Sequence, residues 1–399
     1  MKPKSGLTRL YNCYILRESK IIKEDLWIRD GKIENPEQVF YVEQLQADVT
    51  VNCEGLLIAP GFIDIQINGG WGVDFSYDSE NVKEGVRKVS KELLAHGVTS
   101  FCPTMVTSDV EKYHKILPLI KKLEGGKHGA TVLGVHLEGP FISLAKKGAH
   151  MEEYIRTPDK GLKTIEEVYG PLDNVVIITL APELPGATAA IKELTELGIK
   201  VALGHSTASL AQGEKGVECG ANLITHLFNA MLPFHHRDPG LVGLLASTTE
   251  KQVFYGIISD GIHTHPAALR IASRTNPEGL VLVSDAVAAQ GLADGSYRIG
   301  PQHVTVEDGR AYVTGTKVLC GSTAALDACV ATFKQSLDCS IEYALEAASL
   351  HPAKALGVDN KKGKLNFGFD ADFVILNPEN FKIASTWIAG ECVFECDKK

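Results

Sequence analysis

Between residues 61 and 285 the chain alternates eight times between a short apolar run and a stretch of helical spacing. The apolar runs fall at roughly 61–67, 98–103, 131–137, 175–181, 200–204, 222–227, 254–259 and 280–285. Helical patterns lie between most of them, for example over 79–96, 109–123, 186–197 and 207–219. Eight strands alternating with helices predict an α/β chain folded as a closed parallel (β/α)8 barrel. Such a barrel carries its chemistry at the C-terminal ends of its strands, so the residues at those ends are the first candidates for a site.

The stretch Val135-His136-Leu137-Glu138-Gly139-Pro140-Phe141 places a carboxylate at one such end. Gly139-Pro140 stops the strand, because proline cannot donate to a ladder. A carboxylate at that point needs a partner or a proton. Gly204-His205-Ser206 and Thr225-His226-Leu227 each put a histidine at the end of an apolar run. One carboxylate and two imidazoles suit Zn²⁺ with one position left for water, as in catalytic zinc sites. Asp285 ends a fourth run, Leu280–Val283, where an aspartate can serve as general base and then acid. Singly, each residue has an ordinary reading: Glu138 satisfied by backbone amides, the histidines hydrogen-bonded in the core, Asp285 a left-handed turn residue or a cap. Their common placement on strands 3, 5, 6 and 8 favours the metal reading.

Other candidates follow from position. His150 lies twelve residues after Glu138, near enough for its loop to return and donate to an oxyanion. His263 follows Asp260-Gly261 at the end of strand 7, and Arg237 offers a rigid fork to phosphate. Asn68-Gly69-Gly70-Trp71-Gly72 reads as a substrate-side loop; it lacks a Walker lysine, so it is no nucleotide-phosphate loop. His136, two residues before Glu138, has no assigned role.

The flanks differ. Residues 5–56 carry short strand patterns, with Asp30-Gly31 as a hairpin turn and residues 7–15 as one strand. Strand patterns return over 361–376 and 381–394. The expected organisation is a small β domain built from 1–56 and 356–399, around a barrel spanning 57–355. An excursion over 291–317 precedes a loop, 315–322, that returns to the barrel mouth.

A net charge of −9 argues against a general nucleic-acid surface, and no apolar run approaches the ~20 residues of a membrane span. Met1-Lys2-Pro3-Lys4 leads into no apolar leader segment. Nine cysteines without a CxxC pair read as reduced thiols of a cytoplasmic protein.

These stretches, with Pro60-Gly61-Phe62-Ile63-Asp64, Lys147-Gly148-Ala149-His150, Thr225 to Met231, Asp260 to His263, Ser284-Asp285-Ala286 and Leu319 to Ser322, resemble the N-acetylglucosamine-6-phosphate deacetylases of the amidohydrolase superfamily. The motifs run in that family's order over nearly the whole chain. The resemblance implies a barrel with a small β-sandwich, as a homodimer, acting on a sugar phosphate. It implies one divalent ion per subunit, Zn²⁺, on Glu138, His205 and His226, with Asp285 and His150 catalytic. It implies substrate contacts from Ala149, Asn229, Ala230, Arg237, His263, Leu319, Cys320 and Gly321, and from Asp260, Gly261 and Ile262 beside His263. The implied reaction is hydrolysis of N-acetyl-D-glucosamine 6-phosphate to D-glucosamine 6-phosphate and acetate, water activated by the metal attacking the acetamide carbonyl. The wider superfamily carries His-x-His on strand 1, where this chain has Gln66-Ile67-Asn68. An amide is a poor zinc ligand, so a second metal site is expected to be absent. The competing readings are an amidohydrolase of another cyclic amide or N-acyl sugar, and a non-catalytic scaffold on the same fold.

Overall fold

The computed structural model describes residues 6–77, 80–299 and 302–396. Met1 to Lys4, read above for a leader, and Ser79, the expected start of a helix, lie outside the described residues. Eight parallel strands form the barrel: β1 (Phe62–Ile67), β2 (Val98–Val106), β3 (Val135–Glu138), β4 (Val175–Leu180), β5 (Lys200–Leu203), β6 (Leu223–Ile224), β7 (Phe254–Ile257) and β8 (Leu280–Leu282). They pair in chain order from β1 to β8. The seam between the ends is bridged just beyond the strands, where Asp285 N–H donates to Gln66 O at 2.9 Å and Asn68 N–H to Ala286 O at 2.7 Å.

Every residue of β1 is buried, as expected of a strand covered on both faces. One apolar cluster draws Ile63, Ile65, Cys102, Ile177, Ala202, Leu223, Phe254 and Val281 from strands all round the ring. Side chains from opposite walls meet only in the middle, so this cluster fills the barrel interior. The larger core packs the helices on the outer faces of the strands. Asp109 caps the helix Val110–Ile116 by accepting from Lys112 N–H at 2.8 Å, and Ser209 and Gln212 form a capping box on Leu210–Cys219. The expected helix over 109–123 is shorter, because Pro118 tightens it into a 3₁₀ turn that ends at Leu119. Two short helices, Ile341–Glu346 and Leu350–Leu356, follow near the end of the barrel.

The chain ends build two further sheets. One has six strands in the order Glu391–Glu395, Ile383–Ile388, Phe373–Leu376, Leu57–Pro60, Tyr14–Arg17 and Lys20–Lys23. The other has four: Lys32–Glu34, Leu26–Arg29, Thr8–Tyr11 and Val49–Asn52. Leu10, Ile15, Leu26, Ile28, Ile58, Phe373 and Trp387 pack between them as a sandwich, with the Phe373 and Trp387 rings stacked 5.3 Å apart. The single strand expected over 7–15 is two strands in different sheets. Asn12 sits between them with φ 55°, a left-handed turn that asparagine tolerates, and it carries the chain from one sheet to the other. The excursion after β8 is a three-stranded antiparallel sheet, Gly295–Ile299, Gln302–Glu307 and Arg310–Val313. No helix among the described residues is long and apolar enough to cross a membrane.

A buried ion cluster fastens the connection that leads into the sandwich strand Phe373–Leu376. Lys362, 5% exposed, places Nζ 2.5 Å from Asp372 Oδ2 and 3.0 Å from Asp370 Oδ2. The second oxygen of Asp372 accepts from Ala389 N–H at 2.8 Å. Asp370 also pairs with Lys32, so removing the Lys362 cation strands the buried Asp372 carboxylate, and Lys362→Ala should lower unfolding free energy by about 3–5 kcal/mol, read as a lower denaturant midpoint. A midpoint equal to wild type would show that water replaces the ammonium at no cost.

Candidate active site

The C-terminal ends of the strands surround a cavity of about 260 Å³. Glu138, the last residue of β3, and His205, His226 and Asp285, on the loops that leave β5, β6 and β8, line it. Three of the four hold positive φ: His205 48°, His226 26° and Asp285 46°. That conformation is uncommon for residues other than glycine and costs of order 1–3 kcal/mol each. It turns each side chain over the mouth at the point where its strand ends. Neighbouring loops hold the turns in place. Ser206 N–H donates to Ala230 O at 3.1 Å, and the Glu183 carboxylate accepts from Ser206 Oγ and Thr207 N–H, both at 2.6 Å.

Glu138 Oε1 lies 3.1 Å from His205 Nε2 and 3.0 Å from His226 Nε2, and the two nitrogens are 3.0 Å apart. His205 Nδ1 stands 2.8 Å from Lys146 O. A carbonyl only accepts, so Nδ1 carries the proton and the Nε2 lone pair faces inward, towards the carboxylate. Such lone pairs repel unless a cation stands among them. Without one, a proton does the work. Burial pushes His226 down, but its hydrogen bond to Glu138 and that residue's charge raise it to about 9. Burial opposes ionisation of Glu138, yet the two histidines hold it well below the usual carboxylate range. Nitrogen, nitrogen and oxygen donors already converging on one point therefore fit a divalent ion, which would displace that proton.

Asp285 faces this group. Its Oδ1 accepts from Asn68 Nδ2 at 2.8 Å and from Gln66 Nε2 at 3.3 Å, and Gln66 Nε2 also lies 3.1 Å from Glu138 Oε1. Burial, and next the charge of Glu138, raise Asp285 to about 6. A carboxyl group poised near neutrality suits proton transfer in both directions.

Residues 57–393 match the amidohydrolase family. The chain is 54% identical over 392 residues to the N-acetylglucosamine-6-phosphate deacetylase of Danio rerio, covering 97% of each. The chain belongs to this family of deacetylases. Its fold superposes on the N-acetylglucosamine-6-phosphate deacetylase of Pasteurella multocida with a TM-score of 0.85, at 30% identity, covering 97% of this chain and 99% of that one. It also superposes on a mutant of the Mycobacterium smegmatis enzyme in complex with N-acetyl-D-glucosamine-6-phosphate, with a TM-score of 0.82, at 30% identity over 98% and 99% of the two chains.

The other expected residues divide. Ala149, His150, Asn229, Ala230, His263, Leu319, Cys320 and Gly321 line the cavity. Asp260, Gly261 and Ile262 do not line it. Asp260 stands behind His263, with Oδ2 accepting from His263 Nδ1–H at 2.6 Å and Oδ1 from the N–H groups of Ile262 and His263 at 2.8 Å each. Arg237 is exposed and does not line this chain's own cavity. His136 is a buried core residue, Nδ1 3.0 Å from Ile65 O and Nε2 2.8 Å from Thr179 Oγ1. Asp74, Tyr77, Val287 and Val304 also join the wall, and no sequence motif marks them for it. The excursion after β8 delivers Val304, and no local motif announces such a long-range contact.

Glu138→Gln keeps the shape of the carboxylate and removes its charge. Elemental analysis after dialysis should give about one equivalent of divalent metal per wild-type chain and a small fraction of that in the variant. A full equivalent retained by Glu138→Gln would take Glu138 out of the ligand set.

Proposed function

We propose that this chain hydrolyses N-acetyl-D-glucosamine 6-phosphate to D-glucosamine 6-phosphate and acetate. The observation that carries the reading is the meeting, in one cavity, of three converging metal donors and a carboxyl group raised towards neutrality. Membership of the deacetylase family supports it.

Glu138, His205 and His226 hold the ion in this reading, and Zn²⁺ suits two imidazoles, one carboxylate and an open position. When bound, the ion supplies positive charge that polarises the amide carbonyl and acidifies water. Asp285 takes the proton of the attacking water and passes it to the amine nitrogen, which otherwise leaves very poorly. The amides of Asn68 and Gln66 occupy Asp285 Oδ1, so Oδ2 is the oxygen free for that transfer. His150 donates to the oxyanion as it forms. Gln66 and Asn68 act as donors to carboxylates, which supports a single metal per chain.

Phosphate recognition falls to Asn229, the Ala230 backbone and His263. Asp260 occupies His263 Nδ1 and leaves Nε2 to face the anion. The exposed loop carrying Arg237 suits a homodimer in which this arginine reaches the neighbouring site. Nine cysteines that form no disulfide suit a cytoplasmic protein. The division into 1–56 with 356–399 as one β unit and 57–355 as the barrel belongs to the same proposal.

Acetate release measured with and without the 6-phosphate separates this function from hydrolysis of other amides, which would not depend on the phosphate. Asp285→Asn should keep its metal and lose at least ~10²-fold in kcat; near wild-type turnover would remove Asp285 from the reaction. Arg237→Ala should raise KM for the phosphorylated sugar ~10- to 150-fold, the worth of a charge-assisted contact of ~1.5–3 kcal/mol. Mixing Arg237→Ala with Asp285→Asn protein should restore part of the activity, because one site of each mixed dimer is intact. No recovery after confirmed subunit exchange would place Arg237 in its own chain's site or outside recognition altogether.

A further inference from the structure

His150 can act as a donor to substrate or as a fourth ligand to the cation, and the proton on its ring decides which. Glu138, His150 and His205 all offer ligand atoms within 4.8 Å of one another, so proximity alone permits ligation. The partners of His150 Nδ1 separate the two roles. Both belong to Thr107: the backbone N–H at 3.3 Å and the hydroxyl oxygen at 2.6 Å. A backbone amide only donates, so the nitrogen facing it must present a lone pair. In a neutral imidazole the proton then sits on the other nitrogen.

We infer that Thr107 is a positioning residue, which holds His150 as the Nε2–H tautomer so that the ring donates a hydrogen bond into the cavity and does not bind the cation. The identity of the acceptor, the acetamide oxygen of the substrate, rests on the deacetylase reading; the tautomer does not.

The surroundings of Thr107 fit this task. It is fully buried and follows directly on β2, and Tyr77 Oη–H donates to its carbonyl at 3.1 Å. Its hydroxyl sits in space that only glycine leaves. A Cβ on Gly139 would stand 2.2 Å from Thr107 Oγ1 and 3.3 Å from His150 Nδ1. Gly139 also holds φ 77°, so the residue after the ligand Glu138 is glycine for two separate reasons. The alternative tautomer would aim Nδ1–H at the Thr107 N–H, two donors face to face, with no acceptor for either but the hydroxyl.

The test reads the ring directly. In ¹⁵N-histidine-labelled, Zn²⁺-loaded protein, the His150 signals, assigned by their loss in His150→Gln, should show a proton on Nε2 and a lone pair on Nδ1. A proton on Nδ1, or a metal-shifted Nε2, overturns the inference. Thr107→Val keeps the shape and removes the hydroxyl, and it should cut kcat about five- to tenfold with KM within about twofold. Thr107→Ser should stay within about twofold of wild type in both. Equal losses in the two variants, or none in Thr107→Val at an unchanged melting temperature, also overturn it. An inactive wild-type protein whose His150 carries the Nε2 proton would count against the reaction and leave the tautomer standing.

Discussion

The contact among Glu138 Oε1 and the two Nε2 atoms of His205 and His226 constrains the rest of the molecule. Three polar atoms lie about 3 Å apart in a site nearly closed to water, and they come from β3, β5 and β6. The closed ring of strands brings these three ends to one point, and a positive charge makes their meeting favourable. The left-handed backbone at His205, His226 and Asp285 is a cost of the same arrangement. It persists because strand pairing and the loop bonds from Glu183 and Ala230 leave those residues no other path.

What the sequence disclosed follows from how far each feature reaches along the chain. The barrel was legible because a strand covered on both faces is a continuous apolar run, and eight such runs alternate with helices. Glu138 was legible because Gly139-Pro140 marks where its strand stops. Glu138, His205, His226 and Asp285 gather in the cavity from strand ends that the alternation locates. Other features depend on one residue overriding a pattern. Asn12 divides an unbroken run of strand formers between two sheets, and Pro103 lies inside β2 where a register shift against β1 accommodates it. Still others depend on contacts that no local period encodes. Gln66 and Asp285 meet across 219 residues, and Thr107 and His150 across 43. Thr107 in particular sits at the end of an ordinary buried strand, and nothing in its neighbours sets it apart.

The exchange of a histidine pair for Gln66 and Asn68 changes what β1 contributes. A histidine there offers a lone pair to a metal, whereas an amide nitrogen offers hydrogens to an oxygen. In this chain those hydrogens go to Asp285 and Glu138, two carboxylates buried side by side. These neutral donors let both acids share a small volume. They do so without removing the proton-accepting power of Asp285, whose affinity for a proton remains raised. A second metal ligating the same carboxylate would lower that affinity.

The seam of the barrel adds a mechanical side to this chemistry. The bonds from Asp285 N–H to Gln66 O and from Asn68 N–H to Ala286 O join the last strand to the first, beside those of Ser284 to Asp64 and Gln66. Asp285, Gln66 and Asn68 also exchange side-chain bonds above the seam. The ring therefore fastens at its own acid, like a belt whose buckle is also its tool. Asp285 is placed relative to the donors on β3, β5 and β6 by the pairing of the strands around the ring as well as by its own loop. Precision at the acid is in that sense a property of the whole circumference, and not of that loop alone.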